Sequence, residues 1–90
     1  MELKDQVAVI TGAASGFGEA IARRFAVLGA KVVVADINGD KAREVAASIG
    51  RSAIGLKVDV TSSQEIEAMI GQATAHFGVP DVVVNNAGYT

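Results

Sequence analysis

Four groups along the chain have residue types and spacing suited to holding a phosphate-bearing ligand. The first is Thr11-Gly12-Ala13-Ala14-Ser15-Gly16-Phe17-Gly18, a G-x-x-x-G-x-G run that follows the apolar stretch Val7-Ala8-Val9-Ile10. Glycines let a diphosphate come close to backbone N–H groups, and a helix opening there adds a partial positive charge. The second and third groups are Asp36 and Asp59, carboxylates placed after apolar runs and able to accept from hydroxyl or amino donors. The fourth is Asn85-Asn86-Ala87-Gly88. No set for nucleophilic or metal chemistry accompanies them: cysteine is absent, and the one histidine, His76, falls in the last turn of an expected helix, where a cation suits the dipole. The chain therefore reads as a binding segment with no metal-ligating residue of its own.

The elements that must position these groups alternate. Val7-Ala8-Val9-Ile10 has the length and β-branching of a strand buried on both faces. A helix is expected from about Gly16 to Leu28, its apolar stripe begun by Phe17 and continued by Ile21, Phe25 and Leu28, with Gly29 ending it. Lys31 leads into a second strand, Val32-Val33-Val34-Ala35-Asp36. Asn38-Gly39-Asp40 supplies capping chemistry for a helix with Ala42, Val45, Ala46 and Ile49 inward, stopped by Gly50. A third strand lies between Ser52 and Val60, and within it Leu56 to Val60 alternates as near a sheet edge. Ser62 with Glu65 fits a capping box, and Thr61 with Gln64 fits nearly as well. The helix that follows turns Ile66, Met69, Ile70, Ala73 and Phe77 inward and ends at Gly78. After Pro80 and Asp81, Val82-Val83-Val84 reads as a strand buried on both faces.

Strands and helices in strict alternation, joined by short turns, imply right-handed crossovers and a doubly wound parallel sheet of the Rossmann type, an α/β fold ordered 3-2-1-4. The order reverses between strands one and four. Ligands of such sheets sit at that reversal, beyond the carboxyl ends of the strands, where all four groups converge. Asp36 lies 18 residues after Gly18, close to the spacing of about 20 at which a carboxylate accepts from an adenosine ribose. Asp59 suits an adenine edge or merely a helix dipole, and Asn85 with Asn86 can both tie the strand ends together and border the ligand.

Length and composition set the bounds. Ninety residues, half of them hydrophobic, suit one domain over residues 1–90, although a domain this small buries only ~60–70% of its unfolded surface. Eight basic against 10 acidic residues give a net charge of −2 with no basic cluster, which argues against nucleic acid or an anionic membrane as partner. No apolar run approaches the ~20 residues needed to cross a bilayer, and residues 1–6 lack the apolar core of a signal peptide, so the cytoplasm is the expected location.

The Thr11–Gly18 run resembles the T-G-x-x-x-G-x-G motif of the short-chain dehydrogenase/reductase family, Asn85-Asn86-Ala87-Gly88 its N-N-A-G motif, and Asp59-Val60 its adenine-contacting D-V pair. The resemblance implies an NAD-binding segment of an oxidoreductase that moves hydride between nicotinamide and an alcohol or ketone. It implies that Gly12, Ser15 and Phe17, in a loop opened by Gly16 and Gly18, hold the pyrophosphate. Asp36 then takes the adenosine ribose, Ile37 with Asp59 and Val60 takes the adenine, and Asn86, Ala87 and Gly88 pack along the ribose. The family's catalytic serine and Tyr-x-x-x-Lys pair have no counterpart here, since Tyr89 is the only tyrosine and the sequence reaches only Thr90. The chain is thus expected to be the cofactor-binding half of such an enzyme. A stand-alone nucleotide-binding or structural half-domain is the alternative. An S-adenosylmethionine-dependent methyltransferase would share the glycine loop and the acidic strand ends, but gives no reason for Thr11 or for Asn85–Gly88. The outer edge of the fourth strand is expected to pair with a second copy, making a homo-oligomer.

Overall fold

The computed structural model describes residues 3–86. Its strands are β1 (Val7–Thr11), β2 (Lys31–Asp36), β3 (Ala53–Lys57) and β4 (Val82–Asn85). Its helices are α1 (Gly16–Val27), α2 (Gly39–Ile49) and α3 (Ser63–His76). All strand pairs are parallel and the sheet order is β3-β2-β1-β4, as the alternation implies.

The two faces of the sheet are covered by different helices. On one, Ile10, Val32 and Val34 pack with Ala22 of α1 and Ala42, Val45 and Ala46 of α2. On the other, Val9, Val33 and Ala35 pack with Met69 and Ala73 of α3. Residues 32–35 are all fully buried, so β2 carries no polar residue between Lys31 at its start and Asp36 at its carboxyl end. Burying each of these valines stabilises the fold by roughly 1.5–3 kcal/mol, and that burial fixes where the strand ends, and hence Asp36, must lie.

Four expectations need correction. Phe17 does not begin the inner stripe of α1; it is 83% exposed, while Gly18 and Ala22 face the core. Successive helical residues are about 100° apart, so once Gly18 is wedged inward Phe17 is carried around to solvent. Secondly, β3 ends at Lys57, and the alternating Ile54, Leu56, Val58 and Val60 all face α3, with the last two beyond the ladder. Gly55 between them lets α2 approach, because a Cβ there would stand 2.6 Å from the Ala42 carbonyl.

Thirdly, the capping box of α3 is only half formed. The Ser62 hydroxyl accepts from the Glu65 amide at 3.2 Å, but Glu65 Oε1 accepts from the Asp59 amide at 3.0 Å rather than from Ser62. The Ser62 amide is already given to the Asp59 carbonyl. Finally, β4 is not buried on both faces. Val84 packs into the α1–α2 cluster, whereas Val83 is 55% exposed on the face where α3 lies over β1 and β2 instead. Among the described residues β4 pairs only with β1, so its outer edge has no strand beside it.

Candidate functional site

The glycine loop leaves β1 as a continuation of the sheet and then turns outward. Ala13 donates to the Ala35 carbonyl at 3.0 Å, and the Ala14 amide donates to Asp36 Oδ2 at 3.0 Å. Ser15 caps α1 in an extended conformation, its hydroxyl taking no part in the cap. Gly16 has φ +59°, a left-handed conformation that L side chains rarely adopt, and a Cβ there would meet no atom within 4 Å. Gly18 is the opposite case: a Cβ there would collide with the Gly12 carbonyl oxygen and stand 2.7 Å from Asn86 Nδ2. Gly18 thus lets α1 start against the end of β1, and Gly16 keeps the space before its N-terminus open. Open space before a helix N-terminus, with glycine in place of a side chain there, fits a diphosphate.

The ends of β1 and β4 are tied by side chains. The Thr11 hydroxyl, 3% exposed with its residue, lies 3.0 Å from Asn85 Oδ1 and accepts from the Asn86 amide at 3.1 Å. Asn86 Nδ2 donates to the Gly12 carbonyl at 3.3 Å. The asparagine pair therefore does tie the sheet ends together, and it does so by holding the glycine loop. Ala87 and Gly88 lie outside the described residues.

At the ends of β2 and β3 the groups are more exposed. Asp36 accepts from two amides, Ala14 at Oδ2 and Asn38 at 2.9 Å on Oδ1. Asn38 in turn caps α2 by accepting from the Lys41 amide at 3.1 Å. Ile37 is 64% exposed and lines, with Asn38, Gly39, Asp40, Arg43 and Lys57, an open concavity of about 380 Å³ beside Asp36. Asp59 Oδ1 accepts from both the hydroxyl (2.6 Å) and the amide (2.9 Å) of Thr61. The Thr61 hydroxyl and then its amide stabilise the ionised form and hold the Asp59 carboxyl below its ordinary value of 3.8, with Lys57 adding a smaller attraction and desolvation opposing.

The structure brings Gly12, Ser15, Gly16, Gly18, Asp36 and Asn86 to one end of β1, β2 and β4, with Phe17 and Ile37 exposed beside them. Asp59 and Val60 follow β3 at the same end of the parallel sheet, but the bonds of Asp59 go to its own turn and to α3. Two members of the Thr11–Gly18 run have roles that the sequence did not assign. Thr11 was signalled by a hydroxyl closing a wholly buried strand, where it must find partners. Ala14 contributes a backbone amide, which no side-chain pattern reveals. His76 meets Phe77 edge-on at 4.6 Å, and among the described residues no group of three or more His, Asp or Glu is placed to hold a metal ion.

With this geometry in place, comparison with known proteins decides the family. The short chain dehydrogenase model matches residues 6–90. The chain belongs to that family. Similar relatives are galactitol 2-dehydrogenase of Agrobacterium fabrum, 46% identical over 97% of this chain and 34% of its own length, and 7alpha-hydroxysteroid dehydrogenase of Escherichia coli, 44% identical over 98% and 36%. Among solved structures, a hydroxysteroid dehydrogenase from E. coli superposes with a TM-score of 0.92 at 44% identity, covering 97% of this chain and 37% of that one. The 3-ketoacyl-(acyl-carrier-protein) reductase of Brucella melitensis, solved in complex with NADH, gives 0.89 at 41% identity, covering 91% and 34%. The chain thus spans about a third of the length of these short-chain dehydrogenase relatives. Among the described residues, no helix is long and apolar enough to cross a membrane.

Proposed function

We propose that this short-chain dehydrogenase segment binds NAD(H) for an oxidoreductase acting on an alcohol or ketone. The observation that carries the reading is the pairing of an open glycine loop at the start of α1 with a carboxylate, Asp36, fixed beside it. Gly12, Ser15 and Phe17, in the loop opened by Gly16 and Gly18, would take the pyrophosphate, Asp36 the adenosine ribose, Ile37, Asp59 and Val60 the adenine, and Asn86, Ala87 and Gly88 the ribose face. The NADH complex of the Brucella reductase, similar across 91% of this chain, supports a nicotinamide dinucleotide. When bound, the nicotinamide ring supplies the hydride acceptor or donor. The chain's own residues bind and orient: amides of the loop meet the phosphates, and Asp36 accepts from ribose hydroxyls.

The same carboxylate favours NAD over NADP. A 2′-phosphate would meet Asp36 charge to charge, and at ~4 Å with an effective dielectric near 20 each unit of like charge costs about 4 kcal/mol before relaxation and screening. Arg43 and Lys57 line the neighbouring concavity, but Arg43 is paired with Asp40 at 2.7 Å. Titration with both cofactors checks this, and NADP binding equal to or tighter than NAD would overturn it. In the same reading the protein is cytoplasmic and two copies meet along the outer edge of β4; sedimentation as a stable monomer at high concentration would refute that assembly.

A further inference from the structure

We propose that Asp36 is a positioning residue for the phosphate-binding loop as well as a ligand for ribose. Its two oxygens are each engaged by a backbone amide, one from Ala14 in the middle of the glycine loop and one from Asn38 at the cap of α2. Through Asp36 the end of β2 therefore holds the loop on one side and the start of α2 on the other. The Ala14 amide has few alternatives: its residue is buried, and its neighbour Ala13 already uses the adjacent Ala35 carbonyl. Without the carboxylate, a buried N–H at the turn loses its acceptor, and the loop must move to find water.

A carboxylate has about four lone-pair sites, and the two amides use two, leaving about two for a vicinal pair of ribose hydroxyls. Asp36 can therefore hold the loop and a ribose at once. This part rests on the dinucleotide reading; the hold on Ala14 does not. A consequence follows for anything that binds only at the loop. If Asp36 served ribose alone, removing it would leave pyrophosphate affinity unchanged or raise it, because a negative charge near an anion site is lost. If Asp36 positions the loop, the same removal weakens pyrophosphate binding. The sign of the change separates the two roles.

The test is an NMR titration of the 90-residue chain and of Asp36→Ala with inorganic pyrophosphate and with NAD, together with amide hydrogen exchange at Ala14, Val9 and Val33. The expected result is weaker binding of both probes by Asp36→Ala, and exchange at Ala14 faster by about tenfold or more, as for a lost bond to a charged acceptor, with Val9 and Val33 still protected. Asp36→Asn keeps one acceptor oxygen but turns an NH₂ group toward the other amide, and should fall between. If Asp36→Ala does not fold, Asp36→Asn carries the comparison. Unchanged or tighter pyrophosphate binding with Ala14 still protected overturns the proposal, even where NAD binding falls. If the unmodified chain binds neither probe, the dinucleotide reading fails and Ala14 exchange alone decides the positioning role: protection lost on substitution supports it, and no protection at the start refutes it.

Discussion

The two ends of the candidate groove are built differently. At the glycine loop, bonds cross between strands: Thr11 to Asn85 and Asn86, Gly12 to Asn86, Ala14 to Asp36. Their sequence separations run from 22 to 75 residues. Beyond β3, after the Val58 amide has donated to the Asp36 carbonyl, the bonds of Asp59 are local, to Thr61 two residues away and from its amide to Glu65 over six. A site tied across strands takes its geometry from the whole sheet, and breaking one tie disturbs the fold. A site made from a turn keeps its shape by itself, and a change there stays local.

The largest expected effect comes from the most crowded point of the loop. Gly18→Val would drive a β-branched side chain into the Gly12 carbonyl and Asn86, both of them fixed by other bonds. A loss of about 3 kcal/mol or more is expected, a large fraction of a small domain's stability, and chemical denaturation measures it. An unchanged midpoint would mean that the loop is not rigid and would erase the contrast between the two ends. Gly16→Val, two residues earlier, meets open space and pays only for its left-handed backbone, on the order of 1–2 kcal/mol. The fold should persist while the added side chain fills the space before α1, so calorimetry should show dinucleotide binding lost. Binding equal to that of the parent would displace the pyrophosphate from this loop.

Thr11→Val sharpens the comparison at the next tie. The variant keeps the shape of a buried strand end but leaves the Asn86 amide without its hydroxyl acceptor. Destabilisation of about 1–3 kcal/mol is expected in the same denaturation experiment. A neutral result would show that the ends of β1 and β4 are held by backbone pairing alone.

How much of this was legible in the sequence follows the same division. The apolar runs of β1 and β2 announced buried strands because both faces there are covered, and the inner faces of α2 and α3 followed from their periodicity. Val82-Val83-Val84 carries the same signal, yet Val83 is exposed, because burial depends on which neighbour lies above a residue and α3 lies over other strands. Phe17 misled for a related reason: periodicity marks an apolar stripe, but the wedge of Gly18 against Gly12 sets how α1 is rotated. The residue types of the site were readable from Gly12 to Asn86. The Ala14–Asp36 bond and the return of Glu65 to Asp59 were not, since both depend on backbone amides placed by the folded chain.

The smallest expected effect lies at the β3 end and tests whether that end is as local as its bonds suggest. The Asp59 carboxyl sits below 3.8 chiefly because the Thr61 hydroxyl, and after it the Thr61 amide, donate to the ionised form. A carboxyl depressed on folding contributes stability that is present above the unfolded value and is lost as pH falls through the folded one. Thr61→Val removes the larger of the two donors, so the Asp59 titration, followed by carboxyl NMR, should move up toward 3.8 without reaching it, because the amide bond remains. Stability at neutral pH should fall slightly, and the difference between variant and parent should vanish once the pH is low enough to protonate Asp59 in both. The Ala14, Asn38 and Asn86 amide resonances should stay in place throughout. Movement of those resonances would show that the β3 turn is coupled to the glycine loop, and the two ends of the groove would then be one mechanical unit.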